Sequence, residues 1–197
     1  MFIGLSVSPL ALSLARSSTP PTPAPIYISV SGNDTTGTGL EEAPYATLGK
    51  ALSVVTTNGK IRLKSDITLP NPASYTGIII STPGLTIESD TPGTRRTLDM
   101  SLMMSNSTTG GDGIRFSGDS QTIKDLRFTG YSPSFGGTPS DRVAAINPRG
   151  TNFTSINCEI DHVSGRGMAL GEGGTPTNAH ISGGIFHHCS DPNSSSP

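Results

Sequence analysis

Charge is scarce in this 197-residue chain. Lys, Arg, Asp and Glu together make up 14% of it, and the formal net charge is −2. A nucleic-acid partner needs a basic face for its phosphates, so that class is excluded. Long apolar runs are missing too. No stretch approaches the roughly twenty residues of a membrane span. Cysteine is limited to Cys158 and Cys189, which leave the redox compartment undecided. Helical proteins of this size carry more Lys, Glu and Leu, so the composition argues for strands.

What the chain has instead is Gly (24 residues) and Pro (16 residues), the punctuation of short strands joined by frequent turns. A unit of strand, turn and strand recurs four times: 77–81 with 85–89, 112–116 with 122–128, 142–146 with 153–160, and 167–170 with 179–186. The copies align side chain by side chain. Leu126, Cys158 and Gly184 share one position, 32 and 26 residues apart. Phe128, Ile160 and Phe186 follow two residues later, and Tyr131, Val163 and Cys189 three after that. A step of two with polar neighbours is strand periodicity. Self-similarity at such a period marks a solenoid. Stacked coils would pile like positions about 4.8 Å apart. The expected fold is all-β, a parallel β-helix. In that register the two cysteines lie five positions apart along the strands, about 16 Å. A disulfide needs Cα atoms within about 7 Å, so two buried thiols are expected.

In chain order, residues 1–25 read as an export-like segment followed by a Pro/Ser/Thr linker. Phe2 to Leu14 is mostly apolar and Ser13-Leu14-Ala15 resembles a cleavage site, although no basic residue precedes it. Folded sequence is expected over 26–197. Residues 26–30 alternate as a strand. Leu48, Ala51, Leu52 and Val55 lie on one face of a short helix that Gly59 would end. That helix reads as a cap over the open end of the stack. Residues 60–69 alternate again and are expected to form the first coil strand. The segments 90–111 and 129–141 read as long linkers, the kind that line a groove on a regular stack. After His187 no capping pattern follows. The expectation is a domain truncated at its C-terminal end, or one covered there by another chain.

The segment Tyr27-Ile28-Ser29-Val30-Ser31-Gly32-Asn33-Asp34, followed by Pro44-Tyr45-Ala46-Thr47-Leu48, resembles the opening of secreted right-handed parallel β-helix proteins. These include polysaccharide lyases of the pectate lyase family 9 type. The resemblance implies a right-handed solenoid in a secreted or cell-surface protein. Residues 187–192 resemble a coil end of those lyases, in which Asp191 would be a Ca²⁺ ligand. The remaining ligands and the catalytic Lys of that family have no counterpart in this chain. The implied partner is an acidic polysaccharide of the uronate type, cleaved by β-elimination in the parent protein. A chain continued by further coils would be a monomer.

That chemistry needs several carboxylates near a base, and calcium takes six to eight oxygens. Lys50, Lys60, Lys64 and Lys124 have no acid cluster around them and read as solvated surface residues. Arg166, near Glu159 and Asp161, reads as a turn salt bridge. His162 and His188 share a register and are expected to stack on the outer face. Asp161 aligns with His187 as an acid–imidazole pair. No Cys or His spacing fits a zinc pattern. Two functions stay open: a lyase-like protein whose catalytic base lies outside this chain, and a non-catalytic adhesin-type β-helix that binds glycans or spaces domains. A trimeric phage-tail-type β-helix is a third.

Overall fold

The computed structural model describes residues 23–71, 77–103, 112–132, 144–170 and 178–190. The export-like segment up to residue 22 lies outside the described residues, as does Asp191.

The chain passes through three parallel sheets in strict rotation. After β1 (Ile26–Ile28) and the helix α1 (Leu48–Val54) come β2 (Lys60–Leu63), β3 (Ile67–Thr68) and β4 (Ile78–Ile80). Then follow β5 (Thr86–Ser89), β6 (Arg96–Asp99) and β7 (Ile114–Phe116), and next β8 (Thr122–Lys124), β9 (Leu126–Thr129) and β10 (Ala144–Pro148). The circuit repeats with β11 (Thr154–Ile156), β12 (Glu159–Ser164) and β13 (Arg166–Met168), and continues into β14 (His180–Ser182) and β15 (Ile185–Ser190). The first sheet runs β1-β2-β5-β8-β11-β14, the second β3-β6-β9-β12-β15, and the third β4-β7-β10-β13. Every pairing between these strands is parallel. The fold is therefore all-β, built of parallel sheets. No described helix is long and apolar enough to cross a membrane.

The inward columns are read directly from the register. Leu98, Phe128, Ile160 and Phe186 lie one above the next in the second sheet. Ile61, Ile87, Ile123, Ser155 and Ile181 do so in the first, and Ile78, Ile114, Ile146 and Met168 in the third. Below the exposed Ile181 and Phe186, the apolar residues of the three columns share one continuous core, with Ile78 and Met168 packed at its edge. The expected file of Phe128, Ile160 and Phe186 is present. Cys158 and Cys189 are both free thiols. Burial pushes both pKa values upward, although Cys189 is only partly buried.

Several expectations over the strands need correction. Residues 60–69 form two strands, because the chain bends between Leu63 and Ile67 into a different sheet. They also are not the first coil strand, since β1 already pairs with β2. The second strand of each later copy is likewise two strands. Asp125, Asn157 and Gly183 interrupt it with φ of 53°, 50° and 64°. They stand at one register, so the corner between the first and second sheets is itself a column. The supposed linker 90–111 contains β6, whose single buried apolar side chain, Leu98, gave little periodicity.

A longer column of left-handed residues makes the corner into the first sheet. Asn58, Gly84, Ser120, Asn152 and Asn178 have φ between 55° and 67°. Each stands two residues before the strand that starts at Lys60, Thr86, Thr122, Thr154 or His180. A left-handed conformation costs an ordinary side chain roughly 1–2 kcal/mol, which explains why Asn, Gly and Ser fill the column. The backbone there also bonds rung to rung, as from Gly84 N to Asp119 O (2.7 Å) and from Ser120 N to Thr151 O (2.7 Å).

The segments that resemble the lyase opening have a structural task. The Asp34 carboxylate accepts from Ala46 N (2.7 Å), Thr47 N (3.1 Å) and Thr47 Oγ1 (2.6 Å). Thr47 in turn caps α1 by accepting from Lys50 N at 3.1 Å. Tyr45 is buried, and a Cβ at Gly32 would collide with its carbonyl oxygen. Leu48 and Ala51 face the core, with Leu52 and Val55 packed at its edge. The loop 31–39 and the helix thus form one unit that covers β1.

Candidate functional site

The outward face of the second sheet gathers the histidines and acids of β12 and β15. Regular strands point successive side chains to opposite faces. Here Gly130, His162 and His188, at equivalent positions, take left-handed φ of 79°, 49° and 50°. The kink recurs at the same register on each rung, so no residue is left over in the pairing. It lets the neighbours Asp161 and His162 meet on one side of the strand, while Ile160 and Val163 stay in the core.

Two chains of contacts result. In the first, Arg127 on β9 donates through Nε to Asp161 Oδ1 (3.1 Å) and through Nη2 to Oδ2 (2.6 Å). His162 Nδ1 donates to the same carboxylate at 2.6 Å. The Asp161 side chain is 1% exposed and that of His162 is 60% exposed. Burial alone would raise the Asp161 pKa. The hydrogen bonds from Arg127, His162 and Thr129, with the Arg127 charge, outweigh burial and hold it at about 2. In the second chain, Arg95 Nη1 donates to Glu159 Oε2 (3.3 Å) and His187 Nε2 donates to Glu159 Oε1 (2.9 Å). His187 Nδ1 and His188 Nδ1 share a hydrogen bond of 2.7 Å. The rings of His162 and His188 are stacked, with centroids 4.8 Å apart and planes 26° apart.

The expected His162–His188 stack is therefore present. The Asp161–His187 pair is in register but exchanges partners: His187 binds Glu159, and Asp161 binds its own neighbour His162. The reason is the left-handed kink at His162 and His188, which sequence alignment does not reveal. The arginines that hold Asp161 and Glu159 are Arg127 and Arg95, and sequence reasoning singled out neither. Arg166 belongs to β13. Among the lysines, Lys60 joins Arg62 on Glu88 (3.2 and 2.9 Å) and is more than a solvated surface residue. Lys64 donates to the Glu41 carbonyl at 2.8 Å. Lys50 lies over the Tyr45 ring, and Lys124 ends β8.

Glu159, Asp161 and His187 bring one potential ligand atom each within 4.8 Å of one another, a grouping that could hold a metal ion. Calcium fits it poorly. Two carboxylates and an imidazole fall well short of six to eight oxygens. Their two negative charges already face Arg127 and Arg95, so a dication would enter a balanced site against two guanidinium groups. What the arrangement offers chemically is a buried, ionised carboxylate that fixes the ring of an exposed histidine. That is the geometry of a proton-transfer pair.

No protein-family model matches the chain, and no curated protein matches its sequence. Solved structures do share its shape. The selenomethionine derivative of the GH136 lacto-N-biosidase from Eubacterium ramulus superposes with a TM-score of 0.54 at 12% identity, covering 82% of this chain and 34% of that one. The native form of that protein gives 0.51 and 12%, covering 82% and 30%. A rhamnogalacturonan lyase gives 0.45 at 16%, covering 84% and 54%. At this identity the likeness to the lacto-N-biosidase is one of fold. The chain spans about a third of that protein's length.

Proposed function

We propose that this chain is part of a secreted, right-handed parallel β-helix protein that acts on glycans along the outer face of its second sheet. The observation that carries the reading is the Asp161–His162 pair: a carboxylate shielded from water, 2.6 Å from the Nδ1 of an exposed imidazole. With Nδ1 committed to Asp161, the other ring nitrogen is the one that can take a proton. The fold shared with a lacto-N-biosidase and the lyase-like opening segment support a carbohydrate as the target.

The finer form of the reading is a lyase acting on an acidic, uronate-type polysaccharide by β-elimination. A base removes the proton next to the sugar carboxylate. The electron pair forms a carbon–carbon double bond, and the glycosidic C–O bond breaks with protonation of the leaving oxygen. His162 is the candidate base. Calcium is implied by the family resemblance, with Asp191 as one oxygen ligand, and it would offset the substrate carboxylate. The test is to incubate the chain and its longest natural form with polygalacturonate and alginate, following the absorbance of the unsaturated product. Product that disappears in His162→Ala, and separately on chelation, is the expected outcome. Absence of product on every acidic glycan defeats the lyase.

A second reading has its own observation. Glu159 and Asp161 both have cationic partners already, as in a structural ladder. A non-catalytic β-helix that binds glycans predicts retained glycan binding with no calcium dependence and no product.

A further inference from the structure

A second polar cluster lies on the third sheet, whose outward column runs Ile79, Arg115, Asn147. Asp112, 4% exposed, lies on the middle rung, two residues before β7. Arg115 donates to Asp112 Oδ2 through Nε (3.0 Å) and Nη2 (2.8 Å). Arg149 Nη2 donates to the same oxygen at 3.3 Å, and Asn147 Nδ2 to Oδ1 at 2.9 Å. Two guanidinium groups thus share one carboxylate, which leaves one positive charge over.

Two polar atoms in this cluster have no partner. Asn147 is fully buried, yet its Oδ1 accepts nothing, and the Nε–H of Arg149 finds no acceptor. They are the only two such buried side-chain atoms among the described residues. A buried group left without a hydrogen bond is costly, and native structures rarely keep one without a reason. Here one orphan is an acceptor and the other a donor, and both belong to side chains that hold Asp112.

We propose that Asp112, Arg115, Asn147 and Arg149 form a subsite for a singly charged oxyanion with a neighbouring hydroxyl, the combination carried by an acidic sugar. The anion accepts from Arg149 Nε and takes up the surplus charge. The hydroxyl donates to Asn147 Oδ1. Arg149 is the residue that turns toward the ligand, because its one contact to Asp112 is longer than either of Arg115's. Arg149 Nε and Asn147 Oδ1 are both closed to solvent, so the ligand reaches them only as Arg149, whose side chain is 27% exposed, swings outward. A free inorganic oxyanion offers the same acceptor without the hydroxyl. This subsite is on a different sheet from the Asp161–His162 pair and stands or falls separately from the reading above.

Calorimetric titration of the full chain tests it, using a uronate oligosaccharide, its methyl-esterified neutral counterpart, and inorganic sulfate. Arg149→Gln removes the charge, and Arg149→Lys keeps the charge but lacks Nε. Circular dichroism checks that both variants fold. The expected result is uronate binding weakened about tenfold or more in each variant and in the esterified ligand. Sulfate binding as tightly as the oligosaccharide, with the same loss in both variants, assigns the subsite to a free anion. Equal affinity for charged and esterified sugar, or unchanged affinity in folded Arg149→Gln, overturns the proposal. Neither readout involves catalysis, so absence of lyase product leaves this result intact.

Discussion

The two ends of the described stack treat the same kind of residue in opposite ways. Over β1, helix α1 and the loop 31–39 keep Ile28 fully buried. On β15, Phe186 is 46% exposed, although Phe128 and Ile160 below it in the same file are 0% exposed. The first sheet repeats the pattern, with Ile123 buried and Ile181 partly open to solvent. Local sequence does not distinguish Phe128 from Phe186. Whether another layer lies on top does. In this architecture burial is a property of the neighbouring coil, as expected where each repeat contacts only the next.

Substitution within that file gives the largest expected effect. Phe128→Ala should cost about 3–5 kcal/mol of unfolding free energy, the range for a fully enclosed aromatic. Phe186→Ala should cost about 1 kcal/mol or less, because much of that ring is already in water. Urea denaturation of the two variants measures the contrast. Equal losses would mean that the upper face is covered in solution.

The polar face offers an intermediate test, since Asp161 ties β9 to β12 from outside the core. Asp161→Asn should destabilise by about 1–3 kcal/mol at neutral pH, the scale of hydrogen bonds to a charged group. The pH dependence has a definite sign. The folded pKa of about 2 lies below the ordinary 3.8. The contribution is therefore complete above about pH 4 and is lost as pH falls through about 2. Acid unfolding followed by circular dichroism should show wild type and Asp161→Asn converging at the acid end. A constant gap down to that pH would assign the effect to packing.

The smallest effect is expected at the covered end. Thr47→Ala removes the α1 cap and one of the three hydrogen bonds to Asp34, for a loss of about 1 kcal/mol. Hydrogen exchange should locate that loss in α1 and the loop 31–39. Protection lost evenly through β8 and β9 would show that the cap and the stack unfold as one unit.

Much of the stacking was legible because it rests on a step of two. Phe128, Ile160 and Phe186 keep their inward position whatever the length of the segments between coils. The cap was legible from the spacing of Leu48, Ala51, Leu52 and Val55. The corners were not. At Asp125 the inward step lengthens from two to three, from Ile123 to Leu126, and at Asn157 it does so from Ser155 to Cys158; one irregular step is too short a signal to read as a corner, and the positive φ of both residues marks the bend. The site was legible in part. The register of His162 and His188 followed from counting. Arg95 reaches Asn157 and Glu159 from 62 and 64 residues away, two coils distant, and no local pattern carries such a contact. Asp161 choosing His162 over His187 depended on the left-handed kink at His162. Ca²⁺ ligation by Asp191 falls outside the described residues.

The recurring left-handed corner has a practical corollary. Because Asn152 and Asn178 open successive circuits with the same backbone geometry, the span 153–178 is an interchangeable part. A tandem duplicate spliced in after Asn178 would meet matching edges above and below, lengthening the molecule by one rung of about 4.8 Å. Protein engineers could then use the chain as a ruler, setting the distance between two attached groups by the number of copies.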